Sequence, residues 1–74
     1  MAIDIQAFKI KLGQRIRVLR ERGGLTQMEL GALVGKDFQA ISRMEKGRVN
    51  PSAYQLYVLA GALNVPIAEF FEFT

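Results

Sequence analysis

The segment Leu25-Thr-Gln-Met-Glu-Leu-Gly-Ala-Leu-Val-Gly-Lys-Asp-Phe-Gln-Ala-Ile-Ser-Arg-Met-Glu-Lys-Gly-Arg-Val-Asn-Pro-Ser52 decides how this chain folds. Thr26 and Glu29 stand at capping-box spacing, in which the hydroxyl takes a backbone N–H and the carboxylate reaches back to the cap residue. A short helix therefore starts after Thr26, with Leu30, Leu33 and Val34 as its inner face and Gly35 as its stop. Asp37 can cap a second short helix, whose inner residues are Ala40, Ile41 and Met44 and which Gly47 closes. Only Gly35–Asp37 links the two.

Upstream, Ile5, Phe8, Leu12, Ile16 and Leu19 recur at spacings of three and four, one apolar helical stripe that ends near Gly23–Gly24. Downstream, Ser52 and Gln55 form a second capping box, followed by Leu56, Leu59, Ala60 and Leu63 on one face. Pro66 suits the first turn of a last helix carrying Ile67, Phe70 and Phe71. No stretch alternates as a strand does, and no repeat or linker interrupts the chain. The expectation is an all-α, compact five-helix fold, with residues 1–74 forming a single domain.

A chain of 74 residues, half of them apolar, has room for one core. It has no cysteine and no histidine, which removes disulfides, thiolate metal sites and the commonest general base. No metal, cofactor or small-molecule ligand is expected, and no enzyme activity. Met1–Phe8 lacks the basic start and apolar run of a secretory signal. Val49–Ala68 is uncharged but is broken by Asn50, Pro51, Asn64 and Pro66, unlike a membrane span. The expected location is cytoplasmic. All ten Lys and Arg lie at or before Arg48 with five acidic residues, so that part carries +5, and Val49–Thr74 carries −2. Such a basic portion fits a polyanionic partner, and equally a solvated surface; position within a motif has to decide.

Two short helices joined by about three residues with a glycine at the turn are the sequence form of a helix-turn-helix. The quoted segment, with Leu25-Thr-Gln27, Ile41-Ser-Arg-Met-Glu45, Asn50-Pro-Ser52 and Ala60-Gly-Ala-Leu-Asn-Val65, resembles the phage-repressor and Cro-like helix-turn-helix regulators. The likeness covers roughly Leu12 to Phe71. It implies a lambda-repressor-like fold and a sequence-specific regulator of transcription that reads double-stranded DNA. The departures are Gly31, where the family usually has alanine, Pro66, where a capping serine is usual, and Phe38, an aromatic where polar residues are common. Gly31 is expected to weaken its helix slightly.

Helical spacing alone places Phe38, Gln39, Ser42, Arg43 and Lys46 on one arc opposite Ala40, Ile41 and Met44. Gln39 can pair bidentately with adenine, Arg43 with guanine, and Ser42 with either; Phe38 can touch a thymine methyl. Gln27 opens its helix, where exposed N–H groups favour an anion, and the resemblance implies that it holds a phosphate. Lys36, Lys46, Arg48 and Asn50 are further phosphate candidates. Lys11, Arg15 and Arg22 share one edge of the first helix and fit a solvated basic face as well. The resemblance also implies that Arg20 and Glu45 form a structural salt bridge rather than DNA contacts.

A single recognition helix reads few base pairs, so a homodimer is expected on a pseudo-palindromic site. Tyr57, Val58, Ile67, Phe70, Phe71 and Phe73 are the candidate interface, and the other possibility is that these rings fold back onto the monomer. A protein-interaction module or antitoxin-type partner that keeps the fold is the alternative function.

Overall fold

The computed structural model describes residues 4–73. Helix α1 spans Ile5–Arg22, α2 Gln27–Val34, α3 Phe38–Glu45 and α4 Ala53–Leu63, and a 3-10 helix covers Ile67–Phe71. The caps read from the sequence are in place. The Thr26 hydroxyl accepts from Glu29 N–H at 3.0 Å while Thr26 N–H donates to the Glu29 carboxylate at 2.8 Å. Ser52 and Gln55 repeat the exchange at 3.1 and 2.8 Å, and Asp37 accepts from Ala40 N–H at 2.8 Å.

The C-terminal ends share a device. A left-handed residue follows each α-helix (Gly24, Gly35, Gly47 and Asn64), and the next N–H bonds back across six residues. After α3, Gly47 N–H donates to Met44 C=O at 3.1 Å and Arg48 N–H to Arg43 C=O at 3.0 Å, a Schellman pair. Glycine at Gly47 serves twice, because a Cβ there would also strike the Ile10 backbone at 2.8 Å. At Gly13 a Cβ would collide with the Met44 carbonyl. α1 and the end of α3 thus meet almost backbone to backbone.

The core gathers Leu12, Ile16 and Leu19 of α1, Leu30 of α2, Ile41 and Met44 of α3, and Leu56, Leu59 and Leu63 of α4, with Phe70 fully buried among them. Two expected inner residues are exposed instead. Ile5 is exposed because eighteen-residue α1 overhangs its eight-residue partners by several turns. Leu33 is 60% exposed, since it lies roughly 100° round the helix from the face centred on Leu30, Gly31 and Val34.

The expected fifth α-helix is a five-residue 3-10 helix instead, with Glu69 N–H donating to Pro66 C=O at 3.0 Å. So short a segment gains more from the tighter ladder, which closes a bond every three residues. Pro66 stands at its cap with extended ψ, outside the first turn. Gly31 is also more than a weak spot. The α2–α3 turn passes so close that a Cβ at Gly31 would lie 2.5 Å from Lys36 C=O, and Lys36 N–H returns a 2.8 Å bond to Gly31 C=O.

Candidate nucleic-acid interface

Amphipathic α3 presents one face to the core and the other outward. Ile41 and Met44 are buried and Ala40 half-buried, while Phe38, Gln39, Arg43 and Lys46 are exposed and Ser42 is half-buried. The polar arc read from the sequence therefore exists on the surface. Lys36 in the preceding turn and Arg48 and Asn50 in the following loop are exposed too, so basic and amide groups flank both ends of α3. The Schellman bond fixes the Arg48 backbone directly beyond the helix end.

At the start of α2, Gln27 and Met28 N–H have no protein acceptor among the described residues, as first-turn amides cannot bond within their own helix. These amides and the helix dipole favour an anion. The Gln27 side chain is already engaged: its Nε2 donates to Glu45 Oε1 at 3.0 Å. Glu45, at the end of α3, also accepts from Arg20 Nε at 2.6 Å and from Arg20 NH2 at 3.0 Å. Arg20 NH1 in turn donates to Leu25 C=O at 2.7 Å. Both charged side chains are nearly buried, at 10% and 4% exposure, and the Glu45 hydrogen bond holds the Arg20 guanidinium above its ordinary pKa. The structural pair expected from the resemblance is thus bidentate, and Gln27 joins it, which no local pattern around Gln27 signals.

A helix-turn-helix family model matches residues 16–70. The chain belongs to the helix-turn-helix family of transcriptional regulators. It is 41% identical over 63 residues to an HTH-type transcriptional regulator of Sinorhizobium medicae, covering 85% of this chain and 45% of that protein. The chain therefore spans about half the length of such curated relatives. An HTH-type regulator of Archaeoglobus fulgidus is 41% identical over 59 residues, 80% of this chain and 84% of the relative. Among solved structures, the restriction-modification controller protein C.AhdI from Aeromonas hydrophila superimposes with a TM-score of 0.84 at 38% identity, covering 88% of this chain and 98% of that one.

In this helix-turn-helix domain the expected dimer residues separate into three kinds. Phe70 is a core residue, fully buried against α1 and α4, and is removed from the interface. Phe73 is half-buried and its ring packs on Phe8, with centroids 6.2 Å apart, so it folds back onto α1. Tyr57, Ile67 and Phe71 stay exposed, and Val58 is half-buried. Tyr57, Val58 and Ile67 line an open groove together with Leu33 and Val65. Arg15, one of the helix-one basic residues, does not stand free in solvent: its side chain is largely covered and pairs with Glu69. Among the described residues no helix is long and apolar enough to cross a membrane.

Proposed function

We propose that this chain acts as one domain, a non-enzymatic cytoplasmic regulator that binds double-stranded DNA in a sequence-specific way as a homodimer. The observation that carries the reading is the exposed polar arc of α3, held on a helix-turn-helix and flanked at both ends by exposed Lys36, Arg48 and Asn50. In this reading α3 enters the major groove. Gln39, Arg43, Ser42 and Phe38 meet base edges, and Gln27, Lys36, Lys46, Arg48 and Asn50 meet phosphates. The homodimer is supported by the uncovered Tyr57, Ile67 and Phe71, which a self-complementary contact across a twofold axis would bury.

Selection of bound sequences from random duplex DNA tests this function, followed by affinity against salt for the selected site. A pseudo-palindromic sequence should emerge, with an affinity falling as salt rises at a slope near −0.9 per neutralised phosphate. Failure to enrich any sequence, with affinity flat against salt, would instead favour a protein-interaction module or antitoxin-type partner.

A further inference from the structure

Gln27 is the residue on which a phosphate-binding role and the buried ion pair meet, and Glu45 decides what Gln27 can offer. An ionised carboxylate only accepts hydrogen bonds, whereas an amide side chain carries a donor end and an acceptor end. Glu45 Oε1, 3.0 Å from Gln27 Nε2, therefore selects the amide orientation in which the NH2 end is turned toward the carboxylate. One N–H of that group is used. The other makes no protein hydrogen bond among the described residues, and it lies on a side chain that is only half-buried. A phosphate oxygen is likewise an acceptor only, so this second N–H is the group a DNA backbone needs. The flipped amide would turn its carbonyl toward both anions.

The same carboxylate would repel a nearby phosphate if it stood alone. Arg20 cancels that charge through its two bonds to Glu45, and its third, to Leu25 C=O, fixes the turn that delivers Gln27 to the start of α2. We propose that Glu45 is a positioning residue for DNA binding: it orients the Gln27 amide toward one backbone phosphate and ties that clamp to the C-terminal end of the reading helix. This inference rests on the DNA-binding reading above. It assigns Glu45 a part in binding besides its part in the fold.

The test is a cycle on the selected DNA site, measured well below the melting temperature of every variant. Wild type, Gln27→Ala, Glu45→Gln and the double variant are each bound to native DNA and to DNA with a neutral methylphosphonate at the phosphate nearest Gln27. Wild type should lose roughly tenfold to a hundredfold in affinity on methylphosphonate substitution, the size of one hydrogen bond to a charged group. Glu45→Gln should lose most of that sensitivity, because its own amide no longer selects one orientation of Gln27, and the double variant should bind no worse than Gln27→Ala. A merely structural Glu45 would lower the melting temperature and leave the methylphosphonate effect intact, with additive losses; that result overturns the proposal. If Glu45→Gln alone does not fold, Arg20→Met/Glu45→Gln removes the unpaired buried charge and carries the same readout. A wild-type chain that binds no DNA sinks the DNA-binding reading and this inference together, whereas binding with an additive cycle sinks the inference alone.

Discussion

The Arg15 guanidinium grips Glu69 twice, Nε donating to the backbone C=O and NH2 to the carboxylate, each at 2.6 Å. These bonds cross 54 positions of sequence and fasten the 3-10 helix to α1, directly beside buried Phe70. Arg15→Ala should therefore cost about 1–2 kcal/mol, a charge-assisted pair reduced by the partial exposure of Glu69. Thermal melting reads this as a drop of about 4–8 °C per kcal/mol for a domain of this size. The salt slope of DNA binding should not change. A reduced slope at unaltered stability would place Arg15 on the DNA backbone after all.

Gly31→Ala sets helix propensity against packing. Alanine in a helix interior is worth about 1 kcal/mol over glycine. Here the added Cβ would sit 2.5 Å from Lys36 C=O and 3.3 Å from Asp37 C=O, both backbone atoms of the tight turn that places α3. Overpacking of this kind costs about 1–3 kcal/mol, so the variant should be less stable on balance. Chemical denaturation decides it. A stabilised variant would mean that the turn shifts aside without strain.

What was readable in the sequence was local. Capping spacings at Thr26, Asp37 and Ser52, the glycine stops and the three-and-four periodicity each involve residues within one turn, and each recurs in the structure. The inner and outer faces of α3 followed for the same reason. Most of the misses came from contacts between distant segments. Nothing near Arg15 announces Glu69, nothing in α2 shows that Gln27 reaches Glu45, and the aromatic tail reads identically whether its rings cover the core or wait for a partner. Gly31 looked like a flaw because propensity is a property of one helix, while the Lys36 carbonyl that an added Cβ would press against belongs to the next turn. The shortness of the last element, rather than its composition, made it 3-10.

The two capping boxes should respond differently to acid. Bonds from the Thr26 backbone N–H and then its hydroxyl hold the Glu29 carboxyl below its ordinary pKa. A depressed folded pKa contributes stability that is complete above the unfolded carboxyl range and is lost as pH falls through the folded value. Gln55, which plays the same part for α4, does not titrate. As pH drops through and below the ordinary carboxyl range, Thr26 N–H should lose hydrogen-exchange protection while Ser52 N–H keeps it. Glu29→Gln should abolish the difference, and equal loss at both caps would show that the effect is global unfolding.

Specificity should divide along α3. Gln39→Ala and Arg43→Ala are each expected to relax preference at separate base-pair positions by about 1–3 kcal/mol, whereas Gln27→Ala should weaken all sequences alike. Binding to a panel of single-substituted operators measures both. Were Gln27→Ala to alter base preference and Arg43→Ala to leave it untouched, reader and clamp would have to be exchanged.

Burial narrows the residues that can report on assembly. Phe70→Asp would put a charge into a fully buried site and destroy the fold, so loss of dimer there would be uninformative. Phe73→Asp breaks the Phe8 stack and would confuse stability with association in the same way. Tyr57, at 70% exposure, and Phe71, at 45%, have no such role, and Ile67 at 39% borders the groove shared with Tyr57 and Leu33. Tyr57→Asp, Ile67→Asp and Phe71→Asp should therefore melt near the wild-type temperature. If the apolar side of α4 and the 3-10 helix is where two copies meet, sedimentation at micromolar concentration should show twice the monomer mass for wild type and monomer for at least two of these variants. Operator affinity should fall with dimerisation, because a lone recognition helix spans only half of a site whose two halves lie about 34–36 Å apart. A monomeric wild type, both alone and on DNA, would remove the twofold arrangement while leaving the assignments on α3 in place.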